Sequence, residues 1–154
     1  MASPNTSQAL VVTLSDQEKA KIWALIAARL DLAAEGADEV TLVHGRCDPR
    51  NTDGDRIPWD VALAEPWRGP FLGGDWHAHH HAVARGWIIE AVAADWALYG
   101  KAAGGIRNQL LVGRGADILV AAPIPGYSKG TYDCMRRAAA AGIPVDDISR
   151  PAPA

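Results

Sequence analysis

Short apolar runs alternate along this chain with segments of helical periodicity. Ala9–Leu14 is apolar and rich in β-branched residues, which predicts a strand. Ser15-Asp16-Gln17-Glu18 then matches a capping box, which is typical of a helix start. Apolar residues follow at helical spacing, at Ile22, Leu25, Ile26 and Leu30. The pattern predicts a first helix that ends at about Asp31, before Gly36.

The same alternation continues to the carboxyl terminus. Further strands are predicted at Val40–His44, Trp87–Val92, Ala116–Ala122 and Ile143–Val145. Further helices are predicted at Asp75–Arg85, about Ile106–Val112 and Gly130–Ala141. This order is typical of an open sheet with helices on both faces. The sequence therefore predicts an α/β fold, a Rossmann-like three-layer sandwich around a mostly parallel five-stranded sheet.

One segment, Arg46–Leu72, interrupts the alternation. It contains four prolines and two tryptophans, together with several aspartates and glycines. Segments of this length without regular structure are uncommon in compact domains and are often functional. We expect an irregular insertion at about residues 46–72 within a single domain that spans residues 1–154. The Pro- and Ala-rich tail, residues 149–154, is expected to be flexible.

Composition narrows the class of protein. The chain has 154 residues, of which 49% are hydrophobic and 21% charged, and this fits one globular domain. No apolar run approaches the roughly 20 residues of a transmembrane helix. Met1–Gln8 lacks the features of a signal peptide, so we expect a cytoplasmic protein. Two cysteines make no disulfide framework, and the net charge of −3 disfavours a nucleic-acid partner.

Glycine-bearing loops follow the second, third and fourth predicted strands, and several of them carry cations. In parallel sheets, ligands bind at the carboxyl ends of the strands, close to helix N-termini. This pattern favours a small phosphate-bearing ligand, although neither GxGxxG nor GxxxxGK[ST] is present. The expected ligand-binding residues are His44, Gly45, Gly74, Asp75, Lys101, Gly104, Arg107, Asn108, Gln109, Gly126, Ser128, Lys129, Gly130 and Thr131.

A run of histidines, HAHHH, begins at His77. On a helix His77 and His81 lie four residues apart, a spacing that can chelate zinc if a third ligand is present. His44 or an acidic residue of the insertion is a candidate for that third ligand. The alternative is a polar helix face near the pocket, with His77 or His81 lining it, and we expect no metal and no other cofactor.

Six tryptophans accompany a single phenylalanine. Trp23 is expected in the core, and Trp87 and Trp96 flank the third strand. Trp59, Trp67 and Trp76 lie in or beside the insertion. Their rings suit stacking on a nucleobase, and they suit a subunit interface or a small separate core as well.

The segment Ala94–Gln109, ADWALYGKAAGGIRNQ, resembles the central motif of the YspA/YpsA-related SLOG family (DUF2493). Ala116–Ala121 and Gly130–Ala138 continue the resemblance, and Val43–Gly45 and Gly73–Asp75 are similar to two upstream family motifs. The resemblance implies a Rossmann-like fold, distantly related to the lysine-decarboxylase-like phosphoribohydrolases. It also implies a nucleotide or nucleotide-derived ligand, a homodimer or larger oligomer, and an origin in bacteria or their phages.

The chain departs from this pattern at several positions. Thr13–Ser15 lacks the glycines that the family has after its first strand, and Arg46–Leu72 is added. Cys134 stands where the phosphoribohydrolases have their catalytic Glu, and Asp133 lies about 100° away around a helix. We therefore expect ligand binding without catalysis.

Two other functions remain open at this point. One is a phosphoribohydrolase or N-glycosidase that uses Arg107 and Asp133. The other is an oligomeric protein-interaction module in which the pocket has no role.

Overall fold

A computed structural model describes residues 16–123 and 129–152. The longer helices are α1 (Asp16–Ala34), α3 (Gly74–Arg85), α5 (Ala103–Gly113) and α6 (Lys129–Ala140). Two short helices are α2 (Trp59–Ala64) and α4 (Trp96–Tyr99), with 3₁₀ turns at Pro66–Arg68 and Gly100–Ala102. The strands are β1 (Thr41–His44), β2 (Ile88–Ala91), β3 (Leu119–Ala121) and β4 (Val145–Asp147). None of the described helices is long and apolar enough to cross a membrane.

The strands form two small parallel sheets. β1 pairs with β2, with Thr41 opposite Ile88, and β3 pairs with β4, with Leu119 opposite Val145. The expectation of mixed α/β structure with parallel strands is confirmed. A single five-stranded sheet is not present in the described part of the chain, because no described strand joins β1 to β3. The predicted first strand, Ala9–Leu14, and the Ser15 cap lie outside the described residues.

Helix α1 packs against both sheets. Ile26 and Leu30 of α1 form a buried cluster with Ile148, which follows β4. Leu42 from β1 and Val120 from β3 pack against this cluster from the two sheets. Helix α3 also packs on α1, and α5 packs on α6. The apolar face that the helical spacing predicted for α1 is therefore the common core of both sheets.

A buried ion pair joins α1 to β4. Arg29 contacts the Asp146 carboxylate, and its second terminal nitrogen donates to the backbone carbonyl of Arg150. The last strand is shifted from the predicted Ile143–Val145, because Pro144 lacks an amide hydrogen and Asp146 enters the core to meet Arg29. Because Asp146 is a charged residue inside β4, the strand lacks the apolar run from which strands were predicted.

The insertion is mostly irregular, as expected. A backbone bridge from Arg50 to Leu72 joins its two ends, and a second bridge links Arg50 to Arg56 within it. The insertion and α3 share a small separate hydrophobic core. Trp59, Ala62 and Phe71 of the insertion pack there with Trp76 of α3. The small-core explanation is therefore confirmed for Trp59 and Trp76, whereas Trp67 is 74% exposed.

The glycine-rich segment after β2 is helical, and its prediction as a loop is wrong. Gly104 and Gly105 lie inside α5, which starts earlier than predicted. A Cβ on Gly104 would stand 3.4 Å from the Trp96 ring, and one on Gly105 would stand 3.2 Å from the Arg137 guanidinium. These glycines therefore allow close side-chain packing against the helix and do not form an anion-binding loop.

Candidate functional site

A cavity of about 1070 Å³ lies between the two sheets and reaches the carboxyl ends of β1 and β3. Its walls along the strands are apolar, whereas the end beyond β1 is polar. Part of the predicted ligand set lines this polar end, namely His44, Gly45, Gly74, Asp75, Arg107, Asn108, Gly130 and Thr131. Residues distant in sequence thus meet where parallel strands end, which is the usual ligand position in such sheets.

The side chain of Arg107 is the central cation of this polar end. It is 8% exposed, and its Nη1 donates to the Gly45 carbonyl at 2.5 Å. Nε donates to Asn108 Oδ1 at 2.9 Å, and Nη2 lies 3.5 Å from Cys47 Sγ. No carboxylate in the described chain lies within ion-pair distance of this guanidinium. A buried cation that is held by neutral acceptors alone carries an energetic cost of desolvation.

The turn after β1 leaves space for the Arg107 guanidinium at Gly45. A Cβ on Gly45 would collide with the Arg107 side chain, so only glycine allows the contact. The next residue, Arg46, has φ of 51°, a left-handed conformation that is unfavourable for a non-glycine residue. This conformation turns its backbone N–H onto His44 Nδ1, at 2.9 Å.

The start of α6 is held beside Arg107 by a hydrogen-bonded network. Asn108 Nδ2 donates to the Gly130 carbonyl at 3.1 Å and to Asp133 Oδ2 at 3.0 Å. Arg137 Nε donates to the same carboxylate oxygen at 2.9 Å. The hydrogen bonds from Asn108 and Arg137 lower the pKa of Asp133. Asp133 is therefore an ionised residue that links α5 to α6, and it does not line the cavity.

Two cysteine thiols line the cavity and both are protonated at neutral pH. Burial raises the pKa of the Cys134 thiol. Cys47 is accessible to solvent, but protein surrounds its recess, and this desolvation raises the pKa of its thiol to about 12. A neutral thiol is a poor nucleophile, so neither cysteine is prepared for covalent catalysis.

A pair of histidines connects β1 to α3. Because His44 Nδ1 accepts from the Arg46 amide, its Nε2 carries the hydrogen and donates to His79 Nδ1, at 3.1 Å. The Trp59 ring stacks on His44, with centroids 5.3 Å apart. Desolvation lowers the pKa of both histidines, so both rings are neutral at physiological pH. Both nitrogens of His44 are engaged within the protein, and the residue positions the insertion at the edge of the site.

The remaining histidines point to separate partners. His77 packs on the Trp23 ring, with centroids 4.2 Å apart, and burial lowers its pKa to about 3. His81 Nε2 lies 2.8 Å from Asp31 Oδ1. In the part of the chain that the structure describes, no three His, Cys, Asp or Glu residues are grouped as a metal site. His77 and His81 are therefore not brought together as a chelating pair.

Other predicted ligand residues lie away from the cavity. Lys101 is exposed in a 3₁₀ turn, and Lys129 is exposed at the start of α6. Gln109 accepts a hydrogen bond from Arg137, and Gly104 packs against Trp96. Gly126 and Ser128 lie outside the described residues. Three cations, Lys101, Arg107 and Lys129, were expected at the ligand site. Of these three, only Arg107 lines the cavity in residues 16–123 and 129–152.

Three further residues complete the site and were not among the predicted ligand residues. Cys47 contacts Arg107 and its amide donates to Asp75 Oδ2 at 2.9 Å. His79 and Trp59 support His44. Cys47 and Trp59 belong to the insertion, whose path the sequence does not specify. The sequence shows the run of histidines, but it does not show that His79 is the one that contacts His44 of β1.

The fold and site together define a mixed α/β protein with a buried arginine at the end of a parallel strand. No protein-family model matches this chain, and no solved structure matches it. A segment of 52 residues is 54% identical to the Gene 61 protein of Mycobacterium phage D29. The match covers 34% of this chain and 41% of the phage protein, so it establishes similarity over one segment and no activity.

Proposed function

We propose that this protein binds a small phosphate-bearing ligand, a nucleotide or a nucleotide-derived molecule, at the polar end of the cavity. The single observation that carries the proposal is the Arg107 guanidinium. It is buried, lines the cavity and lacks an acidic partner in the described residues. A phosphate group would supply the missing negative charge through charge-assisted hydrogen bonds. The protein would then act as a ligand sensor or a sequestering protein.

The helices around Arg107 support an anionic ligand. Helices α3 and α6 each have 12 residues, and residues in the first turn of each, Gly74 and Asp75 in α3 and Gly130 and Thr131 in α6, line the cavity. Helix N-termini carry partial positive charge and free amide donors. The Asp75 carboxylate, which also lines the cavity, adds an acceptor for the ribose or base of a nucleotide.

The resemblance to the SLOG family supports the same proposal. Three of the motifs that carry it, Val43–Gly45, Gly73–Asp75 and the Arg107–Asn108 pair, converge on one cavity. Membership of that family remains a proposal. In it, the two described sheets would be the halves of one five-stranded Rossmann-like sheet.

Isothermal titration calorimetry of the full chain tests the proposed function. The panel contains inorganic phosphate, nucleoside mono- and diphosphates, cyclic nucleotides and molecules derived from NAD. We expect at least one nucleotide to bind more tightly than inorganic phosphate, since Asp75 adds a contact beyond the phosphate group. Absence of binding by every member at high micromolar concentration would contradict the proposal.

Hydrolysis of a nucleotide receives less support. The Asp133 carboxylate is occupied by Asn108 and Arg137, and Cys134 is a neutral thiol. Cleavage of an N-glycosidic bond needs a carboxylate placed at the reacting centre. We expect no free base after incubation with nucleoside monophosphates, as measured by chromatography. Release of base that is lost in Asp133→Asn would favour the hydrolase.

Exposed apolar side chains support the prediction of a homo-oligomer. Trp96, Leu98 and Tyr99 of α4 are exposed, as is Leu110 of α5. Large exposed apolar residues on a small protein often mark an interaction surface. We propose that the ligand-binding protein is a homodimer or larger, and analytical ultracentrifugation measures this directly.

A further inference from the structure

Two charges of opposite sign line the polar end of the cavity without pairing with each other. Arg107 contacts only neutral atoms of the described chain. Asp75 lies in the first turn of α3 and lines the same end of the cavity. Within residues 16–123 and 129–152 its carboxylate forms no ion pair. A ligand at this end therefore meets both a guanidinium and a carboxylate.

Cys47 contacts both of these charged groups. Its backbone amide donates to Asp75 Oδ2 at 2.9 Å, and its Sγ lies 3.5 Å from Arg107 Nη2. The pKa of its thiol, which desolvation raises to about 12, is raised by Asp75 and lowered by Arg107. Because one residue contacts both groups, they lie farther apart than an ion pair but within about 10 Å of each other.

The Asp75 carboxylate retains capacity for further hydrogen bonds. A carboxylate has two oxygens and about four acceptor sites. In the described chain, the donors to Asp75 come from Cys47 alone. Asp75 is partly buried, whereas Arg107 is 8% exposed. The anionic group of a ligand would therefore lie deeper in the site, and its hydrogen-bond donors would lie nearer the opening.

The surroundings of Asp75 favour neutral donors over a cation. The residue lies at the start of a 12-residue helix, where the backbone amides carry partial positive charge. This helix end, the Cys47 amide and the nearby Arg107 offset the negative charge of the carboxylate. An ammonium group on the ligand would be repelled by these positive groups, whereas hydroxyl groups donate without adding charge. Two adjacent hydroxyls, one for each carboxylate oxygen, use this acceptor fully.

We propose that the ligand is a ribonucleotide whose 2′- and 3′-hydroxyls donate to Asp75 while its phosphate lies against Arg107. The inference rests on the proposed function and adds the sugar that the site selects. In a nucleoside 5′-phosphate the phosphorus and these hydroxyl oxygens are about 5–7 Å apart, a spacing that suits two groups on either side of one cysteine. A dideoxynucleotide would leave Asp75 without these donors in a site from which the ligand excludes water, and such sites reject ligands that lack the hydroxyl.

The insertion supplies this selectivity. Cys47 belongs to the segment Arg46–Leu72, which is added relative to the family pattern. Its amide orients the Asp75 carboxylate, and its thiol contacts the Arg107 guanidinium. The preference for ribose is therefore assigned to this chain and not to the family that it resembles.

Calorimetric titration of the full chain with matched sugars tests the inference. The probes are the common ribonucleoside 5′-monophosphates, their 2′,3′-dideoxy analogues and inorganic phosphate. We expect the tightest-binding ribonucleotide to bind at least about tenfold more tightly than its dideoxy analogue, as hydrogen bonds to a charged group allow. Equal dissociation constants for this pair would overturn the inference and leave phosphate binding at Arg107 standing. Absence of binding by every probe would overturn the proposed function and this inference together.

A matched pair of variants tests whether Asp75 causes the selectivity. Asp75→Asn keeps the shape of the side chain and removes its charge, whereas Asp38→Asn makes the same change at an exposed residue that does not line the cavity. We expect the ratio between the dideoxy and ribose dissociation constants to fall below about threefold in Asp75→Asn and to stay unchanged in Asp38→Asn. A ratio that is retained in Asp75→Asn, or lost equally in Asp38→Asn, would contradict the assignment.

Circular dichroism shows whether each variant is folded. If Asp75→Asn does not fold, Asp75→Ser replaces it, and the same loss of the ratio is expected because the serine hydroxyl is neutral. If neither variant folds, the comparison of the two sugars on the unaltered chain decides alone.

Discussion

The contact between Gly45 and Arg107 is the residue-level basis of the site. The guanidinium lies on the backbone of the turn after β1, at a distance that no side chain at position 45 permits. The sequence shows both residues in motifs, but it does not show that a buried cation rests on that glycine. The sequence could predict the residue types of the site, and only the fold supplies their distances.

Substitution of Gly45 by alanine should displace the guanidinium. The added Cβ would collide with Arg107, so we expect a loss of about 1–3 kcal/mol in the free energy of unfolding, from overpacking. Gly113→Ala is the control, because a Cβ there meets nothing within 4 Å at the end of α5. Alanine in a helix should stabilise by up to about 1 kcal/mol. Urea denaturation measures both, and equal stabilities would contradict the contact.

The stability of the protein should depend on pH through His77. Burial lowers the pKa of this ring from 6.5 to about 3, so protonation favours the unfolded chain. The free energy of unfolding should therefore fall as pH decreases from about 6.5 towards 3, and His77→Phe should reduce that dependence. Asp31, whose pKa is lowered from 3.8 to about 2 by hydrogen bonds from Arg85 and His81, adds to the loss of stability only at the acid end of this window, below about pH 4. Urea denaturation at pH 7, 5 and 4 measures the slope. An unchanged slope in the variant would refute the role of His77.

At the scale of elements, helices α5 and α6 are joined through one carboxylate. Asp133 accepts from Asn108 of α5 and from Arg137 of its own helix. This link sets the position of Gly130 beside Arg107. The motif residues Asn108 and Asp133 are thus positioning residues in this structure.

Removal of that carboxylate should loosen the helix pair. Asp133→Ala leaves Asn108 and Arg137 short of an acceptor, and we expect a loss of about 1–3 kcal/mol in stability. Arg136→Ala, on the same helix, removes an exposed partner of the same carboxylate and should cost at most about 0.5 kcal/mol. Thermal and urea denaturation compare the two variants. A loss in Arg136→Ala as large as that in Asp133→Ala would show that the Asn108 link is unimportant.

The ion pair between α1 and β4 should be the strongest single electrostatic contact between elements. Asp146→Asn leaves the buried Arg29 without its counter-charge, and we expect a cost of about 3–5 kcal/mol. Glu90→Gln removes the partner of Arg114 at the surface and should cost under about 1 kcal/mol. Both costs are read from urea denaturation curves. Similar costs for the two variants would mean that Asp146 is solvated.

Sequence periodicity predicted most elements because their faces are regular. The helix over Asp75–Arg85 and the strands near Val40–His44 and Trp87–Val92 were placed within one residue at each end. Sequence periodicity gave wrong predictions where tertiary contacts determine the local structure. Helix α5 includes Gly104 and Gly105 because neighbouring side chains need the space. Propensity alone assigns such glycines to a loop.

At the scale of the whole molecule, the insertion completes the site. It brings Cys47 to Arg107 and stacks Trp59 on His44, so an irregular segment supports the end of a regular strand. Long-range contacts of this kind have no local signature, which is why the sequence predicted the edge and missed these residues.

The measurement that tests the central claim most directly is the dissociation constant of the tightest-binding nucleotide for the unaltered chain, Arg107→Ala and Arg85→Ala. Arg85 is an exposed arginine of α3 paired with Asp31, away from the cavity. Loss of a charge-assisted hydrogen bond should weaken binding to Arg107→Ala about 10- to 100-fold, while Arg85→Ala binds as the unaltered chain does. Equal dissociation constants for the two variants, with both shown to be folded by circular dichroism, would contradict the assignment of Arg107 as the anion-binding residue.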